Sequence, residues 1–167
     1  MTVIDIKKTS DFCNLRWDES VIHELVEYIK IPNKSPMFDP DWQAHGYMDQ
    51  VVDQFTTWIE SQAIPDLNLE VIRLPERTPL IFMEIPGQGS SGKAENTVLL
   101  YGHLDKQPEM TGWKDGLGPW QPVLDGDKLY GRGGADDGYA TFSSLLAIAA
   151  LKEQGIPHGR CIIIIEA

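Results

Sequence analysis

Apolar residues fall at helical spacing twice in the first sixty positions. Val21, Ile22, Leu25, Val26 and Ile29 share one helix face behind Asp18 and Ser20, two N-cap residue types, and Pro32 ends the run. Met48, Val51, Val52, Phe55, Trp58 and Ile59 mark a second amphipathic helix, closed by Pro65. Between them, Asn33 to Gly46 is rich in Pro, Asp and aromatics and reads as irregular loop. The period then changes. Leu67–Leu74 and Leu80–Ile85 are short runs suited to strands. A Gly/Ser-rich loop, Gly87 to Gly92, leads into Thr97–Tyr101, which is apolar on both faces and is expected at the centre of a sheet, fed by the two earlier strands as a meander.

Pro122 to Tyr130 predicts a hairpin, with Asp125-Gly126 as its turn signal. Tyr139, Phe142, Leu145, Leu146 and Ala149 form a helical stripe, stopped by Gly155 with Pro157 beyond. Cys161–Ile165 is a wholly apolar strand. The order α-α-β-β-β-hairpin-α-β defines an α/β class: a layered mixed sheet flanked by helices. No internal repeat or low-complexity tract interrupts it.

Composition narrows the function classes. The 167 residues suffice for one packed domain, and 42% apolar content is that of a globular chain. A net charge of −11, from 25 acids against 14 bases, argues against nucleic acid or an anionic membrane as partner. No apolar run approaches the roughly 20 residues of a membrane span, and Met1 to Ser10 lacks the apolar core of a secretory signal. Cys13 and Cys161 are too few for a disulfide framework and point to a reducing compartment, so a cytoplasmic location is expected.

The chemistry concentrates between Val98 and Tyr139. His103 and Asp105 are two residues apart at the end of an apolar run, and positions i and i+2 of a strand face one side. Gly131-Arg132-Gly133-Gly134 then delivers Asp136 and Asp137 just before a helix. Imidazole nitrogen and carboxylate oxygen are zinc donors, and a carboxylate can face two ions at once. His103 and Asp136 are therefore candidate ligands, with Asp105 placed to orient the imidazole. Gly131, Gly133, Gly134 and Gly138 would let the backbone turn tightly enough to bring Asp136 to the strand end. Each piece has an ordinary reading too: a surface His–Asp pair, a tight turn, and acids favoured at a helix N-terminus. Trp113 and Trp120 read as loop packing, Arg132 as a structural ion pair, and His23, His45 and His158 as solvated residues.

At these residues the sequence resembles a known family. Tyr-Gly-His-Leu-Asp with Pro108 and Trp113 after it, then Asp-Gly-x-Lys-Leu-Tyr-Gly-Arg-Gly-x-x-Asp-Asp, is similar to the di-zinc metallopeptidases that include carnosinases, aminoacylases, desuccinylases and carboxypeptidase G. The wording at Tyr101–Pro108 and Leu129–Asp136 most resembles the carnosinase-like dipeptidase branch. The resemblance implies that His103 is a zinc ligand, Asp105 the catalytic acid that orients it, and Asp136 the ligand bridging both zincs, followed by a peptide bond that is often cis. It also implies two zinc ions, a peptide or N-acyl amino acid substrate, a bridging hydroxide as attacking group, and a homodimer in the full-length protein.

Two positions depart from the family pattern: Lys106 stands where an apolar residue is usual, and Gly138-Tyr139 where Lys-Gly is common. Neither is a ligand position. The family's adjacent pair of glutamates, one the general base, follows the strand that Cys161–Ile165 resembles. Glu166 precedes that place and is a weaker candidate for the base. Residues 1–167 are thus expected to be the N-terminal portion of a metallopeptidase catalytic domain, with the remaining ligands and a lid domain outside it. The expectation is a zinc-dependent metallopeptidase or amidohydrolase cleaving dipeptides or N-acyl amino acids, inactive as this fragment alone. The alternative is a non-catalytic truncated relative that keeps the fold as a binding or structural module.

Overall fold

The structure is a computed structural model that describes residues 3–89 and 96–167. The far end of the Gly87–Gly92 loop lies outside the described residues. The helical start is longer than the periodicity predicts. A helix α1 (Ile6–Arg16) begins at Asp5, whose carboxylate accepts from the Lys8 N–H at 3.0 Å, and passes through a wide turn, Trp17–Val21, into α2 (Ile22–Lys30). Asp18 and Ser20 therefore sit inside a helical rod and cap nothing. Ser20 instead accepts from the Trp58 indole at 2.8 Å. The first turns escaped the pattern because α1 buries no residue fully, so no apolar stripe records it.

A short helix α3 (Trp42–His45) ends at Gly46, and α4 (Tyr47–Ser61) buries the six residues its spacing picks out, Met48 through Ile59. The strands are β1 (Asn68–Ile72), β2 (Leu80–Ile85), β3 (Val98–His103) and a small hairpin of β4 (Val123–Asp125) with β5 (Lys128–Tyr130). Helix α5 (Tyr139–Glu153) and strand β6 (Cys161–Glu166) complete the order. Past α5, Gly155 turns in the left-handed region, and Ile156 N–H returns to the Leu151 carbonyl, closing the helix end.

The main sheet runs β1-β2-β6-β3, with β3 parallel to β6 and the other pairs antiparallel. This corrects the expected meander: β6 takes the inner position, and β3 is an edge strand among the described residues. Parallel neighbours need a crossover, and α5 supplies it, carrying the chain from β3 round to β6. The apolar character of β3 is not matched by burial on both faces, since Val98, Leu99 and Tyr101 are exposed. The core lies on the other side of the layer, where Ile81, Met83, Ile163 and Ile165 meet Tyr28, Phe55, Phe142 and Leu145. Phe55 and Phe142 stack edge-on at 5.0 Å, an arrangement that adds to their burial. The α5 stripe is rotated from expectation: Phe142, Leu145 and Ile148 are buried, and Tyr139 is exposed.

Candidate metal centre

Strand β3 ends at His103, and the next residue, Leu104, is fully buried and anchors the turn that follows. The Leu104 N–H donates to the Glu166 carbonyl, while its own carbonyl accepts from the Tyr28 hydroxyl at 2.8 Å and the Asn33 amide at 2.7 Å. With Leu104 held inward, His103 and Asp105 face outward together. His103 Nδ1 lies 3.0 Å from Asp105 Oδ1 and 3.2 Å from the Asp105 carbonyl, two acceptors, so the ring proton is assigned to Nδ1. That leaves Nε2 as a lone pair directed away from the strand.

The second piece arrives from the turn Gly131–Gly138. Gly133 has φ +90°, a backbone that favours glycine, and a Cβ there would fall 2.6 Å from Lys106 Cε. At Gly138 the φ is ordinary, and the constraint is contact: a Cβ would stand 2.2 Å from the Tyr28 ring. So closely packed, the turn presents Asp136 Oδ1 3.4 Å from His103 Nε2. The Asp136–Asp137 peptide is cis, as the resemblance implies. Asp137 turns the other way and its Oδ2 accepts from the His103 backbone N–H at 3.3 Å.

An imidazole lone pair opposite a carboxylate oxygen needs a proton or a cation between them. A tetrahedral zinc with bonds of about 2.0–2.2 Å sets neighbouring donors about 3.4 Å apart, so the donor types and their spacing fit that ion. Asp136 is mostly exposed and open to further ligands. Among the described residues, no group of three or more His, Cys, Asp or Glu is gathered to hold a metal.

The other candidates fall elsewhere. Glu166 pairs with His103 in the β3–β6 register, but its carboxylate accepts from the Tyr101 hydroxyl. That bond holds the Tyr101 phenol up at about 12. Arg132 finds no carboxylate among the described residues; its guanidinium lies over Trp113, 5.9 Å from the ring centroid. His158 is buried rather than solvated, within 2.8 Å of the Gly159 carbonyl.

Beneath the pair lie two residues that the sequence pattern did not bring forward. Tyr28 is fully buried, and its burial, with the nearby charges of Asp105, Asp136 and Asp137, pushes its phenol well up. Lys106 is fully buried as well, and loss of hydration brings its amine down to about 6. Its only sequence signal was the departure from an apolar residue at that position.

The site is thus a strand-end histidine backed by one acid and facing an aspartate from a glycine-rich turn, on an α/β scaffold. Residues 99–167 match the model of Peptidase family M20/M25/M40. Among curated proteins none matches the chain. Among solved structures, the di-peptidase Dug1p of Saccharomyces cerevisiae superposes with a TM-score of 0.72 at 21% identity, over 96% of this chain and 34% of its own. Human carnosine dipeptidase 1 does so at 0.68 and 20% identity, over 96% and 34%. The M20 family metallo-carboxypeptidase Sso-CP2 of Sulfolobus solfataricus follows at 0.62 and 20%, over 88% and 30%. The fold is shared with these proteins, and the chain spans about a third of the length of each. No helix among the described residues is long and apolar enough to cross a membrane.

Proposed function

We propose that residues 1–167 are the first part of the catalytic domain of a zinc-dependent metallopeptidase or amidohydrolase. Its substrates are dipeptides or N-acyl amino acids. The single observation that carries this reading is His103 Nε2 opposite Asp136 Oδ1 at 3.4 Å with Asp105 behind the ring. The match of residues 99–167 to a peptidase family supports the reaction class. His103 is a terminal ligand, Asp136 the bridging ligand, and Asp105 fixes the tautomer and orientation of His103. Two zinc ions, when bound, supply Lewis acidity toward an amide carbonyl and lower the pKa of water. This chain's part is to hold the donors still: Asp105 accepts the hydrogen bond from Nδ1–H, Leu104 anchors the loop, and Gly133 and Gly138 allow the turn to close on it. Further ligands and the proton-shuttling base come from outside these residues, in a protein that functions as a homodimer in the cytoplasm.

The test is metal analysis of the full-length protein together with a screen of dipeptide and N-acyl amino acid hydrolysis. The reading requires about two bound zinc ions per chain and hydrolysis that a chelator abolishes. A full-length protein that binds no divalent metal and cleaves none of these amides is instead the non-catalytic relative.

A further inference from the structure

Lys106 is a costly residue to place where it is. A buried amine loses hydration, and its compensation must come from its partners. Those partners belong to three separate segments. Nζ donates to the carbonyls of Tyr28 at 2.5 Å and Ile31 at 2.6 Å at the C-terminal end of α2, and the Tyr28 carbonyl also accepts from the Ile31 N–H. It also stands 3.7 Å from the centroid of the Tyr28 ring and 5.5 Å from that of Trp120. Its aliphatic stem fills the space over Gly133, where a Cβ would come within 2.6 to 2.9 Å of three stem carbons. Its backbone is tied in both directions, N–H to the Asn33 carbonyl and carbonyl to the Ser35 N–H.

The side chain is thus a strut between the end of α2, the segment that carries His103 and Asp105, and the turn that carries Asp136. Tyr28 completes the same contact from the other side, touching Gly138 of the turn and donating to Leu104 of the loop. An apolar residue of similar length could fill the space over Gly133. It could not reach both carbonyls, and the end of α2 would then be free to shift against the loop.

We propose that Lys106 is a positioning residue for the metal pair: its buried amine and stem hold the His103 loop and the Gly131–Gly138 turn at the separation that lets His103 and Asp136 share an ion. This rests on the proposed metal-binding role of that pair, and it adds a residue that touches neither ligand.

The experiment is a cobalt(II) titration of the metal-free full-length protein, following affinity and the visible cobalt spectrum well below the unfolding temperature. Wild type is compared with Lys106→Met, Lys106→Gln and His103→Ala. Lys106→Met keeps the stem and removes the donors. Lys106→Gln keeps N–H donors on a shorter stem and covers the case in which the methionine variant does not fold. The expected result is a folded variant whose cobalt affinity is about tenfold weaker with a shifted spectrum, the size of effect that outer partners have on metal sites. Wild-type affinity and spectrum in a folded Lys106 variant, even one of lower thermal stability, overturn the positioning role and leave a structural one. Wild-type cobalt binding in His103→Ala overturns the metal reading itself, so the two failures are distinguishable.

Discussion

Gly138 lies against the ring of Tyr28 so closely that a single added Cβ would fall 2.2 Å from it. Tyr28 belongs to α2 and Gly138 to the turn that carries Asp136, so this contact sets the height of the carboxylate over the sheet. Gly138→Ala forces the ring or the turn to move. We expect a loss of about 1–3 kcal/mol in stability, the usual cost of overpacking, with weakened metal binding. Denaturant unfolding and metal titration of the variant measure both.

The tautomer of His103 depends on Asp105. Asp105→Asn removes the charged acceptor of the Nδ1–H hydrogen bond and offers an amide that can present its own N–H there. Metal affinity is expected to fall about 10- to 100-fold with the fold intact. A titration beside a thermal melt separates the two effects.

Lys106 imposes a pH dependence on stability. Its folded value lies near 6 against an ordinary 10.5, so between those limits the unfolded chain holds a proton that the folded chain has released. Stability from this group therefore rises with pH across that window, by up to about 1.4 kcal/mol per pH unit, and the burial cost is fully present below about pH 6. Lys106→Met removes this slope. Urea unfolding of both proteins from pH 6 to pH 10 should show the wild type gaining on the variant as pH rises.

Phe142 joins α5 to the layer beneath, with Phe55 at 5.0 Å and Trp58 at 4.8 Å from its ring. It is fully buried, and Phe142→Ala should cost about 3–5 kcal/mol, read by denaturant unfolding.

Much of this architecture is legible in one sequence because burial and periodicity coincide. Helix α4 turns the six residues that share its apolar face into the core, and β2 spans the residues its pattern marks, Leu80–Ile85. The hairpin follows from Asp125-Gly126, with Gly126 in the left-handed region. Where the two come apart, the reading fails. Helix α1 has little apolar face to detect, and β3 is apolar yet exposed, so its place at the sheet edge cannot be inferred from composition. Pairing order is a property of the crossover through α5 rather than of any strand.

The centre divides in the same way. His103 and Asp136 stand out because their residue types and flanking glycines carry chemistry, and the structure brings them together with Asp105. Tyr28 does not stand out, and Lys106 does so only as a departure from an apolar residue. A tyrosine in a helix and a lysine after a loop are ordinarily read as amphipathic or solvated, and only the packed structure shows that they close the space under the site.

The most direct measurement is zinc content and affinity of the full-length protein against its His103→Ala and Asp136→Ala variants, with amide hydrolysis followed in parallel. The account predicts folded variants that lose zinc and turnover together. Variants that keep wild-type zinc and turnover would contradict it.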